Sequence, residues 1–214
     1  MIFYATALSS YSAKVRIALE YKGLHYQEIA PPGGYKSDSY RQIVRTGRIP
    51  ALMSDGAIIS ESEVILEYLE EKYPYPPMLP ANLLARADAR FHARFHDLYF
   101  EPLVRNLFPH IKLSQRNVNV IAQTKQSLFI MLEHMSAWEI QDFRFNHGQV
   151  SLSDCGFLVN IPLAVQLLQA CGEDFSTPDR WTKWWQTGHQ IPVVATALAP
   201  WKLATEKWIL SQNS

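Results

Sequence analysis

The stretch Leu8-Ser9-Ser10-Tyr11-Ser12-Ala13-Lys14-Val15-Arg16-Ile17-Ala18-Leu19-Glu20 decides the reading of this chain. Upstream of it, Ile2 to Ala7 is a β-rich run and reads as a strand. Downstream, Val15, Ala18, Leu19 and Lys22 recur at helical spacing on one face, and Gly23 stops the helix. Tyr26 to Ile29 then supplies a second short strand, so the opening is a βαβ unit. Ligands bind at the carboxyl edge of the first strand of such a unit, and here that edge carries three serine hydroxyls and the Tyr11 phenol. The amides that open the following helix add a partial positive charge that favours an anion such as a thiolate. Ser10 and Ser12 also suit helix caps, whereas Ser9 lies further upstream, where capping is the weaker account.

Working outward, Pro31-Pro32-Gly33-Gly34 is a loop, and Ser37 to Val44 suits a short helix capped by Ser37 or Asp38. Ile49 to Met53 and Ala57 to Ser60 flank Ser54-Asp55-Gly56, the signal for a tight hairpin, so these two strands are expected to be antiparallel neighbours. From Glu61 the period is helical again. It puts Val64, Ile65, Tyr68 and Leu69 on one face, and Glu67, Glu70, Glu71 and Lys72 on the other. The proline-dense segment Tyr73 to Pro80 cannot continue a helix and places a domain boundary there. Beyond it the spacing predicts helices over Ala85 to Asn106, Val118 to Asp142, Asp154 to Ala170, Pro178 to Thr187 and Val193 to Ser211, the last with a break at Pro200. Ser151-Leu152-Ser153-Asp154 reads as a capping box in which Ser151 accepts from the Asp154 amide and the carboxylate returns a bond.

Composition narrows the function classes. The 214 residues are 48% hydrophobic, enough for a sizeable core, and twenty Lys and Arg balance twenty Asp and Glu. That balance gives no electrostatic reason to expect a nucleic-acid or membrane partner and favours a small ligand or another protein. The Met1 to Leu8 run lacks a basic flank and is too short for a signal peptide, and no run approaches the ~20 apolar residues of a membrane helix. The two cysteines, Cys155 and Cys171, form no C-x-x-C pair and read as buried free thiols, so a cytoplasmic protein is expected.

Two further signals are weak alone. Arg48-Ile49-Pro50-Ala51 opens a strand with proline, and a cis Ile49-Pro50 bond would leave the Ile49 backbone turned towards a ligand. Ser60-Glu61-Ser62-Glu63 opens a helix whose free amides and hydroxyls bind carboxylates, although the same residues make an ordinary cap. His92 and His96 stand at i,i+4, but Ala93 replaces the glutamate of H-E-x-x-H and no third ligand is evident, so no metal is expected. Arg86, Arg90 and Arg94 with Asp88 and Asp97 read as a solvated or subunit-facing stripe. Trp181, Trp184 and Trp185 read as core.

Taken in order, the motifs resemble the glutathione transferase family over most of residues 1–80. The stretches that carry the resemblance are Ser9 to Glu20, Gly47-Arg48-Ile49-Pro50-Ala51-Leu52 and Glu61-Ser62-Glu63-Val64-Ile65, and the Ser151 to Asp154 box and the Trp184 to Pro192 stretch extend it. The loop is most similar to the serine-type classes, zeta and tau. The resemblance implies a thioredoxin-like α/β domain over 1–78 and an all-α domain over 84–214. It implies glutathione as co-substrate, with Ser9 the thiol activator and Ser10 and Tyr11 the alternatives beside it. Ile49 and Pro50 would meet the cysteinyl part of glutathione and Glu61 and Ser62 the γ-glutamyl end, while Arg48 and Lys36 would meet the glycyl carboxylate. By position, Tyr11, Tyr99, Phe100, Arg105 and Phe108 would line the pocket of a hydrophobic electrophile, and a homodimer is implied. Tyr11 departs from the cysteine of zeta enzymes, Val44-Arg45 replaces a common Asn-Pro, and Glu63 adds an acid expected to repel an anion. A glutaredoxin-like reductase is excluded at this loop, since Ser9 and Ser12 stand where its cysteines would be. A binding or regulatory protein that keeps the fold without catalysis is the alternative reading.

Overall fold

The computed structural model describes residues 1–137 and 149–212. Its first part is a four-stranded mixed sheet in the order β2-β1-β3-β4, with β1 (Ile2–Tyr4), β2 (Gln27–Ile29), β3 (Ala51–Ser54) and β4 (Ala57–Ser60). β1 pairs with β2 in parallel and with β3 antiparallel. β3 and β4 form the expected hairpin. Asp55 and Gly56 both take positive φ, 52° and 79°, which suits the right-handed twist of a two-residue turn. The helices of this part are α1 (Ser10–Tyr21), α2 (Asp38–Arg41) and α3 (Ser62–Lys72). Ser37 caps α2, accepting from the Tyr40 amide.

The rest of the described chain is helical. It comprises α4 (Leu83–Phe95), a π-helical turn at His96–Phe100, α5 (Glu101–Arg105), α6 (Val118–Ala137), α7 (Asp154–Ala170), α8 (Asp179–Gln190) and α9 (Pro192–Ser211). The single helix expected from Ala85 to Asn106 is therefore three segments. The expected stretch of α6 from 138 to Asp142 lies outside the described residues. Pro200 sits inside a continuous α9 and does not break it. The capping box holds in one direction: the Asp154 carboxylate accepts from the Ser151 amide at 2.7 Å, whereas Ser151 Oγ accepts from Ser153 rather than from Asp154. Cys155 and Cys171 are buried free thiols. Among the described residues no helix is long and apolar enough to cross a membrane.

α1 is buried nearly all round, not on one face, because it lies against α3 on one side and against α7 and α9 on the other. Residues of both parts, from Phe3 and Val15 to Leu158 and Trp201, consequently share one apolar core. This placement also buries two lysines of α1. Lys14, 1% exposed, pairs with Glu63 of α3 and with Asp97 of the π turn at 2.9 Å. Lys22 donates to Glu70 at 2.8 Å and to the carbonyls of Tyr73 and Pro76 at 2.7 and 3.0 Å. Glu70 in turn accepts from the amides of Met78 and Leu79.

Glu70 was expected on the polar face of α3 and Val64 on the apolar one. Instead Glu70 is buried against Lys22 and the amides of Met78 and Leu79, and Val64 is 54% exposed at the rim of a pocket. The proline-dense segment is thus held by a buried ion pair that satisfies its backbone.

Two outcomes follow for stability. Lys22→Met leaves the buried Glu70 charge unpaired and should cost roughly 3–5 kcal/mol in urea unfolding, and a loss below about 1 kcal/mol would refute this anchor. Burial raises the pKa of Asp97, but the His96 hydrogen bond and the Lys14 charge outweigh it and hold the group at about 2 against an ordinary 3.8. A depressed folded-state pKa gives stability that is present above the unfolded value and lost as the pH falls towards the folded one. The stability gap between wild type and Asp97→Asn should therefore be constant above about pH 5 and shrink between about pH 4 and pH 2.

Candidate functional site

A pocket of about 840 Å³ opens where the first strand, α1, α3 and the α4–α5 helical wall meet. The loop after β1 lines it with Thr6, Leu8, Ser9, Ser10 and Tyr11. The segment before β3 adds Arg48, Ile49 and Pro50, and the start of α3 adds Glu61 to Val64. Opposite them stand Arg94, Asp97, Glu101, Arg105 and Phe108. Ten of the thirteen residues singled out from the sequence therefore meet in one place: Ser9, Ser10, Tyr11, Arg48, Ile49, Pro50, Glu61, Ser62, Arg105 and Phe108.

Three do not. Lys36 is exposed, with its ammonium 5.0 Å from the Tyr35 ring, and it is Tyr35 that lines the pocket. Phe100 is fully buried and packs on Phe157 with ring centroids 5.4 Å apart, on the core side of the π turn. Tyr99 is 55% exposed and stacks near Phe95, away from the pocket. Arg105 and Phe108, beyond the π turn, line the pocket as expected, whereas Tyr99 and Phe100 within it do not.

Ser9 is the N-cap of α1 after all: its Oγ accepts from the Ser12 amide at 3.1 Å. Helix α1 begins at Ser10, which puts the upstream serine in the cap position. A capping hydroxyl accepts with its lone pair and keeps its own O–H to donate elsewhere. Ser10, one residue inside the helix, is only 7% exposed. Tyr11 is half-buried, and its pKa is pushed well up by burial and by the charge and hydrogen bond of Glu101. Its phenol is therefore held neutral and turned to that carboxylate.

Ile49-Pro50 is a cis peptide, as the sequence suggested, and lies just before β3. Tyr40 steadies this segment by donating from its hydroxyl to the Arg48 carbonyl at 3.1 Å. Glu61 has φ 72°, a left-handed conformation that is costly for a side chain with a Cβ. Ser62 and Glu63 then begin α3, and both line the pocket.

Glu63 does not present the bare negative charge expected of it. Its carboxylate is paired with Lys14.

Sequence reasoning missed Asp97, Glu101 and Arg94 as pocket residues. Asp97 accepts from Lys14 and is hydrogen-bonded to His96 Nδ1 at 2.8 Å, so it is no part of a solvated stripe. A signal existed: 94, 97, 101, 105 and 108 repeat at three and four, which is one face of a helix. Gly156 makes room for this arrangement, since a Cβ there would lie 2.5 Å from His96 Nδ1. Arg90, by contrast, makes a two-pronged pair with Glu67. Trp181 is core and donates to the Leu132 carbonyl at 2.8 Å. Among the described residues no group of three or more His, Cys, Asp or Glu is arranged to hold a metal ion.

Comparison with known proteins adds the lineage. Residues 3–77 match the family described as glutathione S-transferase, N-terminal domain. Maleylacetoacetate isomerase of Pseudomonas aeruginosa is 41% identical over 96 residues, 42% of this chain and 45% of that protein. The chain thus spans less than half the length of that relative. The solved tau class glutathione S-transferase of mango is similar over 98% of this chain and 97% of its own, with TM-score 0.77 and 21% identity. A rice glutathione transferase solved in complex with glutathione is similar over 100% and 97%, with TM-score 0.75 and 21% identity. Residues 3–77 thus match the glutathione S-transferase N-terminal domain, and the chain has the fold of the solved glutathione transferases over nearly its whole length.

Proposed function

We propose that this protein is a glutathione transferase that activates the thiol of bound glutathione for attack on an electrophilic small molecule. The observation that carries this reading is the convergence of Ser9, Ile49-Pro50 and Glu61-Ser62 on one pocket. A structural neighbour with glutathione bound supports the choice of co-substrate. Glu61 and Ser62, at the α3 N-terminus, hold the γ-glutamyl end, and the Ile49 backbone meets the cysteinyl part. Arg48 takes the glycyl carboxylate, with Tyr35 beside it in place of Lys36.

A free thiol has a pKa of about 8.5, so little of it is thiolate at neutral pH. Ser9 donates its hydroxyl hydrogen to the sulfur, and the amides of the α1 N-terminus add their dipole, so the charged form is favoured. Ser10 is the poorer candidate because it is nearly buried. Tyr11 is poorer still because its phenol is committed to Glu101.

The reading extends to domains over 1–78 and 84–214, with the second substrate held between them. It also extends to a cytoplasmic homodimer. Free buried thiols suit a reducing compartment. Leu84, Phe91 and Leu98, each at least half exposed along one helix, suit coverage by a second copy.

Ser9→Ala should lower turnover with a standard electrophile roughly a hundredfold. Loss of the cap should also cost about 1 kcal/mol of stability, to be measured separately. Ser10→Ala and Tyr11→Phe should each cost less turnover than Ser9→Ala. An unchanged rate in Ser9→Ala would remove Ser9 as activator. Retention on glutathione resin without any conjugation would instead favour the non-catalytic binding protein.

A further inference from the structure

The segment between β2 and β3 has a charge balance unlike that of the chain as a whole. Residues 31–48 carry four cations, Lys36, Arg41, Arg45 and Arg48, against one acid, Asp38. All four cations are exposed. Among the described residues no ion pair takes up any of them, whereas Arg16, Lys22, Arg90 and Lys125 each hold a carboxylate. Four like charges on one loop repel one another, and an anionic ligand relieves that repulsion.

The loop is fastened, so its charges keep their place. Ser37 and Ser39 both donate to the Pro32 carbonyl, at 2.7 and 2.9 Å. The Lys36 amide donates to the Gly47 carbonyl at 3.0 Å, and Arg41 Nε donates to the Lys36 carbonyl at 3.1 Å. Gly47, with φ 62°, lies against both: a Cβ there would stand 3.1 Å from Arg41 Cγ and 3.2 Å from Lys36 Cα. The Arg41 guanidinium is thus laid beside the residue that precedes Arg48, with its Nη donors left for a ligand. Arg48 and Tyr35 line the pocket, and Lys36 Nζ is 5.0 Å from the Tyr35 ring centroid. The basic surface therefore begins at the pocket rim and runs outward from it.

We propose that Lys36, Arg41 and Arg45 form a subsite for a thiol peptide longer and more acidic than glutathione, a γ-glutamylcysteinyl peptide that carries further carboxylates beyond its glycine. This rests on the transferase reading above, with Arg48 at the glycyl end, and names its thiol co-substrate. Glutathione presents one carboxylate at that end, which Arg48 answers, and leaves the other three cations unused. A chain extended by two residues through the glycyl carboxyl reaches about 7 Å further, past Arg48 and along Arg41. The sulfur and its activation by Ser9 are untouched, so the extension contributes equally to binding of the ground state and the transition state.

The test uses the full-length protein, chlorodinitrobenzene as electrophile and three thiols: glutathione, γ-Glu-Cys-Gly-Asp-Asp and its uncharged counterpart γ-Glu-Cys-Gly-Asn-Asn. In wild type kcat/KM should be about tenfold higher for the Asp-Asp peptide than for the Asn-Asn peptide, with the difference in KM, and about 0.5 M salt should erase most of it. With Arg41→Gln and Arg45→Gln together the two peptides should come within about twofold of each other, while kcat/KM for glutathione stays within about twofold of wild type. Arg45→Gln alone should lower the preference about threefold. A wild-type preference below about twofold, or one that survives these substitutions, overturns the proposal and leaves the transferase reading standing. A wild type inert with all three thiols overturns both.

Discussion

Burial of the two α1 lysines is the constraint on which the rest of this structure depends. Lys14 and Lys22 stand two turns apart on a helix with almost no solvent-facing side, and each needs a carboxylate to remain charged there. Glu63 and Glu70, also two turns apart on α3, supply them. This matched spacing sets α1 and α3 in register. Asp97 extends the first pair into the helical part, and the carbonyls of Tyr73 and Pro76 extend the second into the linker. The buried charges therefore tie the sheet part to the helices at both ends of α1, and the pocket forms at one of those ends.

At that end, a π turn carries Asp97 to Lys14, and π turns inside helices are frequent at functional sites. Beyond it Glu101, Arg105 and Phe108 line the pocket while Phe100 enters the core. His96 braces this turn from behind, seated against Gly156 and edge-on to Phe157 at 5.0 Å. The pocket wall is thus a consequence of packing between the π turn and α7. Each acid of the wall has a cation to answer it, Lys14 for Asp97 and Arg105 for Glu101.

Across the pocket, the loop after β1 does two things with one residue. Ser9 satisfies an otherwise orphaned amide of α1 through its oxygen and lines the pocket with its own O–H still available to donate. At α3 the left-handed Glu61 precedes the helix, and it lines the pocket together with Ser62 and Glu63. Strain of this kind persists where surrounding contacts determine the conformation, here the β3–β4 hairpin on one side and Lys14 with Glu63 on the other.

The meeting of Ser9, Ile49-Pro50 and Glu61-Ser62 was legible only through the resemblance to a known family, whereas the sequence alone determined the order of strands and helices and the hairpin at Asp55-Gly56. These are local matters of period, turn chemistry and backbone preference, which neighbouring residues settle among themselves. Tertiary structure decided what covers each face. Periodicity assigned Glu70 to solvent, Val64 to the core and Asp97 to a surface stripe, and the family resemblance put Phe100 in the pocket, and each assignment reversed once the distant partners were in place. It also decided the meaning of charge: Glu63 reads as a repulsive acid in sequence, and only the arrival of Lys14 from another helix neutralises it. Partners separated by 49 and 83 residues leave no trace in local spacing, because a buried ion pair is chosen by which surfaces are excluded from water together.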